Sequence, residues 1–285
     1  MPITVCHPVA SIPLRRFGLI LSALIVGSMM PDFEFFIRLS DGKAIGHTLA
    51  GLFLFDIPVG LIVLIVFHRL IKYPLLSLLP HTVQSRMYKT ASEFTFFPVK
   101  RFCMISFSLL IGAITHLLFD SFTHADGFFV MQLPFLASPV ITLPQGTVRI
   151  YFLLQYVGSA LGALVMIYWF LKWYYNENPI NHIILHRFHY SKRIVIILSM
   201  GIFSIAAGIT YGIIVSHKLQ SVIMMKTFIT HSAIASMSSF IIALITFGAA
   251  WHYWIPHHKR VQHKNDVKDG CFLMGENRLS DSKEF

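Results

Sequence analysis

Residues 5–36 read VCHPVASIPLRRFGLILSALIVGSMMPDFEFF. Pro8, Pro13 and Pro31 interrupt this apolar stretch, and Arg15 and Arg16 sit in its middle. A proline inside a helix removes a backbone donor and clashes with the preceding turn, so one unbroken helix cannot run from end to end. Two readings stay open: residues 17 to 36 form one more membrane span, or residues 5 to 31 form a helical hairpin that dips into the bilayer and returns. The choice decides where His7 lies. A single span leaves it across the membrane from Asp32, whereas a hairpin brings it back beside Asp32. The hairpin also puts Arg15 and Arg16 at its tip, where long cationic side chains can snorkel to the opposite headgroups. Each hairpin arm has about 10 to 14 residues, short for ~30 Å of hydrocarbon. A hairpin site would therefore be sunk below the membrane surface.

The rest of the chain places that segment in a membrane. Of its 285 residues, 55% are hydrophobic and 13% charged, too apolar a balance for an ordinary soluble domain. Five further stretches reach the ~20 apolar residues that a span needs, at about 49 to 67, 102 to 121, 149 to 171, 194 to 215 and 228 to 252. The expected fold is all-α: a polytopic transmembrane helical bundle of five full spans plus an N-terminal helical hairpin or sixth span. Residues 1–255 form the integral membrane domain, and 256–285 lose apolar periodicity and read as a disordered tail.

Charge sets the orientation. Arg69, Lys72, Arg86, Lys89, Lys100 and Arg101 fall between the first two spans, and Lys172, Arg187, Lys192 and Arg193 between the third and fourth. Lys259, Arg260, Lys264, Lys268, Arg278 and Lys283 follow the fifth. The alternate connections hold only Arg38, Lys43, Lys218 and Lys226. By the positive-inside rule the C-terminus is cytoplasmic. The net charge of +10 then points to membrane lipids as partners, not nucleic acid, because no basic patch interleaves with aromatics outside the membrane. No protein partner is indicated. Cys6, Cys103 and Cys271 lie far apart and make no CxxC pair. No small-residue cleavage site follows the first apolar run, so a cleavable signal peptide is not expected.

Three clusters then share the outward face. In ITHLLFDSFTHADGFF, residues 114–129, His116 and Asp120 are four apart and share a helix face. His124 extends that line if the helix continues, with Asp126 and Gly127 ending it. GSMMPDFEFF, residues 27–36, carries Asp32 and Glu34, and GHTLAG, residues 46–51, carries His47. Imidazoles and carboxylates converging at a membrane face suit a divalent cation, with zinc or manganese expected, and Thr115 and Thr123 could orient the ligands. Asp56, just before Pro58, is another costly residue inside a span. It falls roughly half a turn away from His47 on a regular helix. His81, His182, His186, His189, His252, His257 and His258 fall on the cytoplasmic side and read as interface or tail residues, whereas Thr230 and His231 start the last span on the outer side, where they could close the site.

The order CHPVA, GSMMPDFEFF, GHTLAG and ITHLLFDSFTHADG resembles the bacterial membrane-bound metal-dependent hydrolases. It resembles more closely an uncharacterised bacterial integral membrane family that shares their layout. The resemblance covers roughly residues 1–130. It implies an inner-membrane protein with the N-terminal hairpin, and a metal site built from His7, Asp32, His47, His116 and Asp120, with Glu34 standing where a second motif aspartate would be. GHTLAG lacks the Arg-Gly and Thr-His pairs of the hydrolase motif. Two functions follow as expectations. One is a metal-dependent hydrolase acting on a lipid-phosphate or other amphiphilic ester, with Glu34, His124 or Asp126 as general base. The other is a non-enzymatic metal-binding or structural membrane protein; a transporter has only Asp56 and Pro58 in its favour.

Overall fold

The computed structural model describes residues 4–42, 44–143, 146–179, 183–185, 188–216, 222–255 and 261–263. Among the described residues five helices are long and apolar enough to cross a membrane: Leu49–Leu78, Val99–Gln132, Ile150–Asn176, Tyr190–Ser216 and Met224–Trp254. Each overlies one of the five expected stretches, so the protein is an all-α polytopic bundle. Among the described residues the only strands form two small antiparallel pairs, Pro139–Leu143 with Gly146–Arg149 and Ile183–Leu185 with Val261–His263. The rest of the tail expected to be disordered lies outside the described residues.

Residues 5–36 take the hairpin form. Short helical turns at Pro8–Ser11 and Ile12–Phe17 lead in. Gly18 turns the chain with φ 82, a left-handed conformation that glycine adopts without a Cβ penalty. Leu21–Gly27 and Met30–Arg38 lead back. Pro31 does not stop the returning arm as its position suggested. It occupies the first turn of Met30–Arg38, where its missing N–H costs nothing. The Ser11 hydroxyl donates to the Leu24 carbonyl across the arms at 3.3 Å, and the Ile20 N–H donates to Ser108 Oγ at 3.0 Å.

Two glycines seat the returning arm on the second span. A Cβ on Gly112 would lie 2.5 Å from the Leu24 oxygen and 2.7 Å from the Ser28 nitrogen. One on Gly27 would lie 2.8 Å from Leu109 Cα. Only bare backbone permits this approach, the same small-residue packing that joins helices in membranes. The last two spans meet similarly, since side chains at Gly208 and Gly212 would collide with Ser236 and Ser232. They also cap the hairpin: Ser238 Oγ donates to the Phe36 carbonyl at 2.7 Å and Tyr211 to the Leu39 carbonyl at 3.2 Å. These are carbonyls at a helix end that has no partner of its own.

All of these contacts belong to one compact unit, formed by Met1–Val66, Thr95–Trp173 and Ser204–Ser239. A second unit comprises Phe67–Phe94, Tyr174–Phe203 and Phe240–Phe285. Much of what read as a basic loop at 68–101 is helical there: the first span continues to Leu78 and a further helix runs His81–Ser92. Its cations find carbonyl acceptors. Lys72 Nζ donates to Ala91 O at 2.6 Å, Arg86 Nε to Tyr174 O at 2.9 Å and Arg193 Nε to Leu78 O at 2.8 Å.

Candidate metal centre

The second span supplies the anchor. His116 and Asp120 share a face of helix Val99–Thr123, and the His116 side chain is fully buried. Its Nδ1 lies 2.8 Å from the Ser28 carbonyl. A carbonyl can only accept, so Nδ1 carries the proton and Nε2 presents a lone pair. This is how backbone groups fix the tautomer of a ligating histidine. The Gly27 and Gly112 approach delivers that carbonyl.

The hairpin supplies Asp32, 3% exposed in the first turn of Met30–Arg38. The Thr4 hydroxyl donates to Asp32 Oδ2 at 2.7 Å, leaving Oδ1 for the centre. His47 comes from the tight turn Ile45–His47, just before the first span. His47 Nε2 lies 3.5 Å from both Asp32 Oδ1 and Asp120 Oδ2, and His116 Nε2 lies 3.2 Å from Asp120 Oδ2 and 3.7 Å from Asp32 Oδ1. The same four atoms recur in every pair, and ligand atoms of these four residues all lie within 4.8 Å of one another. A tetrahedral site with bonds of about 2.1 Å has edges of about 3.4 Å. The donor set can therefore hold a divalent ion without large rearrangement.

Electrostatics agrees with that geometry. Burial alone would lower the His47 pKa, but hydrogen bonds to Asp120 and Asp32 outweigh it and lift it to about 9. Two carboxylates confined together need positive charge between them. A proton on His47 provides it in the metal-free protein, and a divalent ion would provide more. His116 Nε2 is buried without a hydrogen-bond partner, as expected of an atom aimed at an ion.

The other expected residues take different places. His7 returns to the centre as the hairpin requires, stacked on His116 with ring centroids 3.9 Å apart. It stands outside the group of four, with Nε2 3.9 Å from Asp120 Oδ1. Glu34 faces away from the ion position: Arg38 donates to Oε1 at 3.0 Å and the Gly46 N–H to Oε2 at 3.2 Å. Burial disfavours its charge, but Gly46 and Arg38 together hold its carboxyl below the usual range. Glu34 thus fastens the His47 turn. Helix Val99–Thr123 stops one residue before His124, whose Nδ1 lies 3.5 Å from Asp120 Oδ1 and whose Nε2 lies 3.4 Å from Gln155 Nε2. Asp126 is exposed in the turn beyond. Gly127 is not left-handed but precedes the next helix with φ −67, allowing close approach to the Ser121 and Asp120 carbonyls. Thr115 bonds back to Gly112 of its own helix, while Thr123 reaches His124 at 3.4 Å.

Asp56 packs against the turn that carries His47. The wide π turn Leu52–Asp56 breaks regular helical phase, and Asp56 Oδ1 would lie 3.0 Å from a Cβ on Gly46. It is 1% exposed and both its oxygens lack a hydrogen-bond partner. The half-turn offset expected of a regular helix does not apply through such a turn. Thr4, Ser28 and Gln155 were missed: a hydroxyl, a carbonyl and an amide carry no metal signature, although Ser28 lies within the quoted GSMMPDFEFF.

No curated protein and no solved structure matches the chain. Residues 1–249 match a domain of unknown function, DUF4184, and the chain belongs to that family.

Proposed function

We propose that the protein is a membrane-embedded hydrolase that uses a divalent metal ion, zinc or manganese, held by Asp32, His47, His116 and Asp120. The observation that carries this reading is the convergence of four ligand atoms, from the hairpin, a turn and one span, to within 4.8 Å. Four protein ligands would fill a tetrahedral shell, so catalysis requires a further position for water, and side-chain exposure of 27% at His47 and 13% at Asp120, against none at His116, puts that side of the centre toward solvent. An open coordination position distinguishes catalytic from purely structural sites. A metal there would acidify a bound water and polarise a phosphoester or ester. Around it, Thr4 and the Ser28 carbonyl hold two ligands in place. In this reading His124, beside Asp120, takes the water's proton as oxygen attacks and returns it to the leaving oxygen when the ester bond breaks. The distribution of Lys and Arg supports an outward-facing site in a bacterial inner membrane and a cytoplasmic C-terminus.

Elemental analysis of the detergent-purified protein tests this, beside His116→Ala and Asp120→Ala variants whose folding is verified by circular dichroism. Stoichiometric zinc, manganese or iron in the parent, lost from both variants, is expected. Metal-loaded protein should then hydrolyse a phosphoester or carboxylester in mixed micelles, and the variants should not. Full loading with no turnover on either ester class would leave a structural metal site in place of an enzyme.

A further inference from the structure

Residues 127–148, the connection from the second span to the third, read GFFVMQLPFLASPVITLPQGTV. Asp126 and Arg149 bracket it, and no charged residue lies between them. The connection that carries His47, at the same end of the bundle, holds Asp41 and Lys43 within residues 39–48. The longer connection is therefore the less polar one. Its short helix Phe128–Gln132 and the turn Pro134–Ala137 are nearly all apolar. Val130 and Leu136 turn inward and are buried, while Phe128, Met131 and Phe135 turn outward and are 61%, 63% and 69% exposed. Apolar side chains on both faces suit a segment with protein on one side and lipid on the other.

The backbone fits the same surroundings. Lipid offers N–H and C=O groups no partner, so a segment in contact with it must satisfy them internally. The Met131 N–H donates to the Gly127 carbonyl at 3.0 Å, that of Leu133 to Phe129 at 2.9 Å and that of Ser138 to Phe135 at 3.0 Å. Pro139–Leu143 then pairs with Gly146–Arg149, and the Arg149 side chain donates to the Ala137 carbonyl at 2.6 Å.

We infer that residues 127–148 lie in the membrane interface beside the metal centre, their outward face covered by the lipids of that leaflet. The helix and turn sit at the acyl boundary, and the strand pair, whose edges need polar partners, sits at headgroup level. Continuity selects lipid over a second copy of the chain as the cover. The helix Phe128–Gln132 ends the same apolar stretch, Val99–Gln132, that crosses the membrane, and Phe129 stacks on Phe122 of that stretch with ring centroids 4.1 Å apart. Gly127 packs on the Asp120 and Ser121 carbonyls, so the depth of this segment fixes the depth of the ligands. The inference holds whether or not the centre is a hydrolase.

The full chain, with Cys103→Ser and Cys271→Ser, is reconstituted in vesicles of phosphatidylethanolamine and phosphatidylglycerol. A nitroxide is attached at Phe128→Cys, Met131→Cys or Phe135→Cys; Cys6 is buried and stays. Electron paramagnetic resonance measures collisions of each nitroxide with oxygen, which partitions into lipid, and with a nickel chelate, which stays in water. Asp41→Cys on the charged connection and Leu161→Cys on the exposed face of the third span give the water and hydrocarbon references. All three positions are expected between these references, with oxygen collisions severalfold above those of the chelate. Chelate collisions at the Asp41 level would make the connection a solvated loop, and low values of both would put protein on that face; either result overturns the inference. On the unsubstituted chain in the same vesicles, Met131 should resist hydroxyl radicals generated in the water, and its ready oxidation would overturn the inference as well.

Discussion

The first two spans and the last two are all apolar enough for a membrane, yet they bury themselves differently. In the most apolar windows of Leu49–Leu78 and Val99–Gln132, 28% and 33% of residues are buried, against 11% and 17% in Tyr190–Ser216 and Met224–Trp254. The extra burial comes with polarity. His116 and Asp56 are among the largest fully buried side chains of the protein. Within the described residues of the last two spans, the buried polar side chains are the hydroxyls of Ser204, Ser216 and Ser238. A hydroxyl bonds to its own helix, as Ser216 does to Gly212 and Ser238 to Ile234. A carboxylate has no proton to donate to its own helix, and an imidazole can bond only one of its two nitrogens there, as His231 Nδ1 does to Thr227, so when buried they need partners that the chain brings from elsewhere. The hairpin is how it does so. The difference separates a region organised around a centre from one that supports it through Ser238 and Tyr211.

The most disruptive way to break that contrast is at Gly112, which touches no ligand. In Gly112→Leu the side chain would meet the backbone of Leu24 and Ser28, forcing the returning arm off the span and taking the Ser28 carbonyl from His116. Overpacking of this kind costs about 1–3 kcal/mol, and more against rigid backbone. Bound metal should be lost altogether and the unfolding temperature in detergent should fall. Full metal retention would show that the hairpin is not what assembles the centre.

Proton competition sharpens the same contrast next. The folded His47 pKa of about 9 lies above the ordinary 6.5. The proton on His47 therefore stabilises the metal-free fold fully below pH 6.5, and this contribution is lost as pH rises through about 9. An ion needs the lone pair that the proton occupies. Divalent-metal affinity should therefore climb about tenfold per pH unit across that window and level off above it. Competition with a chelating dye at a series of pH values measures the slope. A flat profile would mean that His47 is not displaced by the ion.

These residues were not equally legible in the sequence. The five spans were, because hydropathy over a window depends on composition alone. His116 and Asp120 were as well, since a helix fixes which residues share a face. The form of residues 5–36 was undecidable from periodicity: Pro13 and the Arg15–Arg16 pair are compatible with a span start or a hairpin tip, and the decision rests on Gly27 meeting Gly112, a contact far apart in sequence. Glu34 and Asp32 looked interchangeable two residues apart. In the fold, that spacing turns Glu34 toward Arg38 and the Gly46 amide, and Asp32 toward the centre. Asp56 could not be placed from sequence, because a π turn leaves no clear trace there and angular bookkeeping assumes a regular helix.

The next step down in size probes support around the ligands. Thr4→Val keeps the shape of the side chain and removes the donor that holds Asp32 Oδ2. Loss of such an orienting group costs about 10- to 100-fold in metal affinity. The variant should remain folded and bind metal more weakly by that factor in the chelator competition. An unchanged affinity would mean that the hairpin backbone alone aims Asp32.

The smallest effect on the centre is expected from the region that only supports it. A Cβ in Gly208→Ala would meet Ser236 and the Ser232 carbonyl on the facing span, so the two spans must separate slightly, at a cost of about 1–3 kcal/mol. Gly208 lies in the fourth span, and the ligands lie in the hairpin, the His47 turn and the second span. Stability and metal affinity should therefore part company: a lower unfolding temperature with an unchanged dissociation constant. The connection from these spans to the centre runs through Ser238 and Tyr211 onto the Phe36 and Leu39 carbonyls, several residues beyond Asp32. If Gly208→Ala weakened metal binding as much as Thr4→Val, those two caps would be transmitting the position of the last spans to Asp32. The contrast between a centre and its support would then have to be redrawn as one cooperative bundle.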